Sequence, residues 1–237
     1  MNFYLGLLTL LITFTGVAQQ NPFLMVKNID SPTHISFKSI SDRLEKNIQS
    51  IAVDKANWKA FPYAPDVFFK MAHDSEKLYL KFYVTEEHVL AQHSEPNSAT
   101  HRDSCVEFFI DPDQSGGYYN FEFNCIGTTH LAYGPNRNQR KFVDSQKIKD
   151  GLFIESTLGN QPFKEKSGHF NWEMVVAISS SIFIHHPNLT FNTLHSKANF
   201  FKCGDDTTKP HYLSWNPIDT PNPDFHQPDF FGNLVFD

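Results

Sequence analysis

This chain is short of the residues on which much protein chemistry depends. Only 19% of its 237 residues are charged, and acids outnumber bases, giving a formal net charge of −6 and a pI near 6.0. That balance excludes a surface built to hold nucleic acid or an anionic membrane. Cysteine occurs three times, at Cys105, Cys125 and Cys203, too rarely for a disulfide framework. No G-x-S-x-G motif is present to seat a nucleophile, and no C-x-x-C-H to attach haem. His185-His186 and His211 lack the spacing of a tetrahedral or facial-triad metal site. Helical periodicity is scarce too. Ser41–Ser50 alone reads as a short helix, with Asp42 near its start and Leu44 and Ile48 on one side. The sequence contains no internal repeat, low-complexity tract or linker.

Charge is missing altogether from the first eighteen residues, MNFYLGLLTLLITFTGVA, which precede Gln19-Gln20. An apolar run closing on the small residues Gly16 and Ala18 is the pattern of a cleaved signal peptide, although no Lys or Arg marks its start. A membrane anchor is the alternative. The run is short for a span, and the helix-breaking Gly16 interrupts it. No Cys follows the cleavage point, so lipid attachment there is excluded. The reading is export to the periplasm or cell exterior, leaving one domain over residues 19–237. At about 219 residues this suits a single all-β fold.

What the chain has in quantity is Phe, at 24 residues, together with 14 Pro and many short runs of alternating polarity. Asp66–Ala72 and Lys77–Thr85 read as a hairpin around His73-Asp74-Ser75-Glu76. In the second strand Leu78, Leu80, Phe82 and Val84 face inward, and Tyr79, Lys81 and Tyr83 outward. Leu152–Ser156, Asn171–Ile178, Ala198–Lys202, His211–Trp215 and Asn233–Phe236 are further strands. The pattern predicts an all-β, antiparallel β-sandwich of jelly-roll type with one or two short helices. Gly134–Asp150 and Asn216–Phe231 are the longest strand-poor stretches, and long loops in a compact domain are commonly functional. Pro217, Pro221, Pro223 and Pro228 stiffen the second loop around Phe225 and His226.

The most informative segment runs from Arg102 to Ile126, RDSCVEFFIDPDQSGGYYNFEFNCI. It is two strands joined by the turn residues DPDQSGG. A slip of one residue would turn a whole strand inside out. The register must therefore put Val106, Phe108 and Ile110 on the face that carries Phe121, Phe123 and Cys125. Glu107, Glu122 and Asn124 then share the opposite face. Cys105 and Cys125 fall on different faces, which disfavours a bridge between them. A Cys105–Cys203 bridge and three free thiols both stay open.

Several segments taken in order carry a resemblance: WKAFPYAPDVFFKMAHD, DSCVEFFIDPDQSGGYYNFEFN, ANFFKCGD, PHYLSWNPI and PDFHQPDFFGNLVF. Together they resemble the family 9 carbohydrate-binding modules, from about Trp58 to the C-terminus. The resemblance implies a β-sandwich of the DOMON-like type that holds sugar without catalysis, with calcium as a structural ion in some members. It also implies that a sugar end is clamped between two Trp rings while charged and amide groups take its hydroxyls. Glu107 matches the family's acidic strand residue and Asn124 its amide residue. Glu122 stands where the family has an Arg. His101 and Arg102 occupy the region of the first clamp Trp, and Phe225 that of the second, so both clamp positions depart from the pattern.

The predicted carbohydrate site is therefore Glu107, Glu122, Asn124, Phe225, His226, His101 and Arg102. An aromatic face covers the C–H side of a sugar ring, and carboxylates and amides pair with its hydroxyls. The ordinary structural alternatives are a Phe225 that plugs the sandwich end and a polar face that is merely solvated. Asp111 and Asp113 are candidate calcium ligands at the turn. The match of Asp111 to Glu122 with EF-hand spacing is accidental, because Glu122 belongs to a strand. Trp58, Trp172 and Trp215 read as core. Two further functions compete: a glycoside hydrolase using the Glu107–Glu122 pair, and a haem or redox domain, for which Met71 and His73 would be axial ligands. The expected partners are a carbohydrate and the glycoside hydrolases of the same pathway.

Overall fold

The computed structural model describes residues 23–237, so the leader read at residues 1–18 lies outside the described residues. The first half contains β1 (Phe23–Asn28), α1 (Phe37–Asn47), β2 (Ile51–Ala52), β3 (Asp66–His73), β4 (Lys77–Ala91) and β5 (Cys105–Asp111). Next come β6 (Tyr118–Asn124), β7 (Thr129–Gly134), β8 (Lys141–Phe142), α2 (Ser145–Gly151) and β9 (Leu152–Ser156). The chain closes with β10 (Phe163–Ser179), β11 (His195–Cys203), β12 (Tyr212–Ser214) and β13 (Gly232–Phe236).

The strands form one curled sheet in the order β8-β7-β6-β5-β11-β13-β1-β3-β4-β10-β9, folded over so that its two halves face each other. β1 is the seam. Its first four residues pair with β13, and Lys27 and Asn28 pair with β3, both in parallel. These are the two parallel pairings in an otherwise antiparallel sandwich. The strands alternate as their sequences require. Val106, Phe108, Phe121 and Phe200 from one half meet Phe69, Phe82, Met174 and Val176 from the other in a single core. Phe69 and Phe200 stack across it with centroids 3.7 Å apart. Trp172 and Trp215 are buried in this core, as expected, and Trp58 in a second cluster outside it.

At one end of the core an ion pair crosses between the halves. Lys202 Nζ on β11 lies 2.9 Å from Glu86 Oε2 on β4, and both side chains are fully buried. Trp172 Nε1–H donates to Glu86 Oε1 at 2.8 Å, and Lys202 also donates to the Cys203 carbonyl and to His211 Nε2. Burial and the Lys202 charge push the His211 pKa well down, consistent with its role as acceptor. A buried pair survives where such additional bonds satisfy both ions.

The helix begins earlier than Ser41. Ser36 caps it, its side chain accepting from the Ser39 amide while the Ser39 hydroxyl accepts from the Ser36 amide. Ile40 and Leu44 dock α1 over Tyr79, Val175 and Ala177 on the outer face of the sheet. Tyr79 and Lys81 do point away from the core, yet they are buried beneath the helix. Lys81 is matched there by Glu45 at 2.8 Å and Glu173 at 2.9 Å.

Candidate functional site

The pairing of β5 with β6 sets Val106 opposite Phe123, Glu107 opposite Glu122 and Phe108 opposite Phe121. This is the register that the matched apolar faces require. Cys105, Glu107 and Phe109 thus share the outer face with Asn124, Glu122 and Asn120. That face is not open to solvent. The loops expected to be functional fold over it, leaving Glu107 2% and Glu122 3% exposed. Beneath them remains a cavity of about 170 Å³, with Glu107, Glu122 and Cys203 reached from the sheet, and His101, Asp205 and Tyr212 beside them. Arg137 and Arg140 come from the loop after β7, and Pro223, Asp224, Phe225 and His226 from the loop before β13.

The two glutamates are treated in opposite ways by their surroundings. Burial pushes both carboxyls up, but Glu122 is answered by His101 at 3.7 Å, His130 at 3.8 Å and Arg140 at 3.8 Å. It also accepts from Thr100 Oγ1 and Asn120 Nδ2, and its pKa falls well below the ordinary value. Glu107 has the burial and the repulsion of Glu122, opposed mainly by a thiol hydrogen bond from Cys203 at 3.1 Å. Its pKa rises well above the ordinary value, so it is held as the neutral acid. His101, paired with Glu122, is raised. Asp205 is raised by its burial.

His226 is neutral, its pKa pushed down to about 3 by burial and by the Arg140 and Arg137 charges. Its Nε2 lies 2.8 Å from Arg140 Nη1 and its Nδ1 2.8 Å from the Tyr118 hydroxyl. Arg can only donate, so Nε2 accepts and Nδ1 carries the proton, donating to Tyr118. Arg137 donates to Asp224 Oδ1, which also accepts from the His226 amide. The two loops are thereby tied together over the glutamates.

Phe225 is 7% exposed. One ring face stacks on Phe201 at 4.3 Å and 11°, and Trp58 and Tyr212 lie about it at 6.1 Å each. Trp58 in turn anchors the loop by donating to the Thr220 carbonyl at 2.9 Å. Phe225 is therefore packed into the outer cluster and also lines the cavity. Of the seven expected residues the structure gathers five around it: His101, Glu107, Glu122, Phe225 and His226. Asn124 lies outside. Its amide donates to the His93 carbonyl and to Asp103, and its oxygen accepts from the Thr128 amide. It holds the turn after β6 rather than facing the cavity. Arg102 is also outside, exposed and 3.8 Å from Asp206.

Arg137, Arg140, Asp205, Tyr212 and Asp224 went unrecognised in the sequence. The signal available was the length of the loops that carry three of them. Asp111 and Asp113, the candidate calcium ligands, accept from the Ser115 and Gly116 amides in the β5–β6 turn. Met71 is packed inside the sandwich core and His73 is fully buried against Phe236. Neither faces the cavity. The three cysteines are free thiols.

Comparison with known proteins agrees with this architecture. Among solved structures, a protein of Bacteroides uniformis described as a candidate carbohydrate-binding protein superposes with a TM-score of 0.88 at 35% identity. The match covers 92% of this chain and 100% of that one. A family 9 carbohydrate-binding module from Caldicellulosiruptor kristjanssonii, solved with glucose and with cellotriose, superposes with a TM-score of 0.57 at 14% and 12% identity. Those matches cover 91% of this chain and 96% and 93% of the module, and show a shared fold. No curated protein matches. The model for carbohydrate-binding family 9 matches residues 39–236, and the chain belongs to that family.

Proposed function

We propose that this protein is an exported, non-catalytic carbohydrate-binding protein of a bacterial polysaccharide-using system. In this reading it holds the end of a neutral sugar in the cavity over β5 and β6. The observation that carries the reading is the cavity itself, where Phe225 stands beside Glu107, whose pKa burial raises, and Glu122, whose pKa its partners lower. A neutral carboxyl donates to a hydroxyl and an ionised one accepts, so the pair can serve both halves of a sugar hydroxyl. The volume is small beside the ~300–1,000 Å³ of clefts that take drug-sized ligands, which suits one terminal residue of a glycan. Membership of the family, and the glucose and cellotriose held by the Caldicellulosiruptor module, support carbohydrate as the ligand class. Titration of a panel of neutral mono- and disaccharides by calorimetry tests it.

Export rests on the uncharged run ending at Ala18. No helix among the described residues is long and apolar enough to cross a membrane. N-terminal sequencing of the secreted form is expected to begin at Gln19, whereas an intact Met1 in a membrane fraction would point to an anchor.

A second reading has one observation in its favour. A protonated Glu107 facing an ionised Glu122 is the electrostatic pattern of an acid–base pair. Glu122, however, is engaged by Thr100 and Asn120 and has Arg140, His101 and His130 within 3.8 Å, which suits an anchored acceptor better than a nucleophile. Release of reducing sugar from polysaccharide by the purified protein would favour the hydrolase.

A further inference from the structure

The floor of the cavity carries chemistry that a sugar does not use. Cys105 and Cys203 are direct cross-strand partners on β5 and β11, and Glu107, two residues along from Cys105, points to the same face. Their two sulfurs and one carboxylate oxygen all lie within 4.8 Å of one another, and all three residues are buried. Among the described residues the Cys203 thiol is the one hydrogen-bond partner that the Glu107 side chain has. A buried carboxyl with one weak partner is costly to keep, and it lines the cavity together with Cys203. Thiols contribute little to holding a hydroxyl, so sugar binding leaves the pair unexplained.

We propose that Cys105, Cys203 and Glu107 form a binding site for a thiophilic divalent cation, with Zn²⁺ the best match, entered from the cavity. Two sulfurs and a carboxylate are zinc ligands and unsuited to calcium or magnesium, which take oxygen alone. Three protein donors leave one place of a tetrahedral shell for a water from the cavity. Binding converts both thiols to thiolates and releases their two protons, and a third where Glu107 is protonated. Two thiolates and a carboxylate around a doubly charged ion leave a net charge of −1. Arg140 and His101, already beside Glu122, stand close to this charge. The site shares Glu107 with the sugar reading, so the cation and the sugar would alter each other's affinity by the same factor.

The test uses the exported protein, reduced and without sugar, so its outcome is independent of whether sugar binds. Addition of Co²⁺ is expected to give a thiolate-to-cobalt absorption band that saturates at one equivalent and is bleached by Zn²⁺. Cys105→Ser and Cys203→Ser should each abolish the band. Glu107→Gln, which keeps the side-chain shape, should weaken the affinity at least tenfold, and Cys125→Ser should leave the band intact. Should either serine variant fail to melt cooperatively, the glutamine variant decides. The proposal is overturned by a cooperatively melting, fully reduced protein that gives no band, or by a band unchanged in Glu107→Gln. It is equally overturned if protein recovered from exporting cells shows a single titratable thiol on denaturation without reductant, since any one bridge among the three cysteines takes up Cys105 or Cys203.

Discussion

Glu107 and Glu122 face each other across one ladder and share a solvent-poor environment, yet their pKa values move in opposite directions, because the ion-pair contacts of His101, His130 and Arg140 are made to Glu122. The difference makes their contributions to stability run in opposite directions with pH. Glu122 has a lowered pKa, so its contribution is present above its ordinary value of 4.5 and disappears as pH falls through the lowered one. Glu107 has a raised pKa, so its contribution is complete below 4.5 and is lost as pH rises. His226, neutral in the fold, adds a further acid-side loss between its ordinary 6.5 and about 3. Glu107→Gln is therefore expected to keep or raise the melting temperature at neutral pH, because it makes the protonated state permanent. Glu122→Gln is expected to lower it at neutral pH and to flatten its decline in acid. Melting curves between about pH 3 and pH 8 check both, and equal losses in the two variants at neutral pH would contradict the assigned states.

The register of β5 and β6 was legible because large apolar residues recur at every second position on both strands, at Val106, Phe108 and Ile110 and at Tyr119, Phe121 and Phe123. What covers that register was not, since burial of the outer face depends on two loops whose contacts are far away in sequence. Asn124 looked like a ligand-holding amide, but an isolated sequence does not reveal that His93 and Asp103 take both its N–H donors and Thr128 engages its oxygen. β1 left little trace, for only Val26 of its six residues is buried and its parallel partners, β3 and β13, are far from it in sequence. β4 runs on to Ala91, past the expected end at Thr85, where Glu86-Glu87 masks a strand whose Glu86 is paired within the core. The start of α1 was obscured by a serine where the capping pattern usually has Glu or Gln.

The loop before β13 carries the second prediction of consequence. Phe225 fastens this element through Phe201, Trp58 and Tyr212 and lines the cavity as well. Phe225→Ala is expected to cost about 3 kcal/mol of stability, as other large-to-small changes at packed sites do. Phe225→Leu keeps most of the volume and should cost less than about 1.5 kcal/mol, while removing the flat face a sugar ring needs. Thermal melts paired with sugar titrations separate the two roles. Unchanged affinity in the leucine variant would show that the ring is a plug and not a platform.

At the scale of the molecule, a curled sheet with β1 as its seam buries one continuous aromatic core, and the Lys202–Glu86 pair links its halves. The sandwich class followed from many short alternating strands and little helix. The rigid frame it provides holds Glu107 and Glu122 in fixed register while the loops close the cavity above them. In the proposed site, the two-tryptophan clamp that the family resemblance implies would be replaced by His101 and Phe225. Fewer and smaller aromatic faces reduce stacking, an interaction worth on the order of 1 kcal/mol per ring pair beyond simple burial, so weak binding is expected. Calorimetric titration of the mature protein with a broad panel of neutral sugars tests this account most directly. It predicts saturable one-to-one binding of at least one sugar, at affinities of roughly 1 mM or tighter, equivalent to about 4 kcal/mol, with the binding weakened severalfold in Phe225→Leu. No heat from any sugar on the panel, by a protein that melts cooperatively, would contradict it.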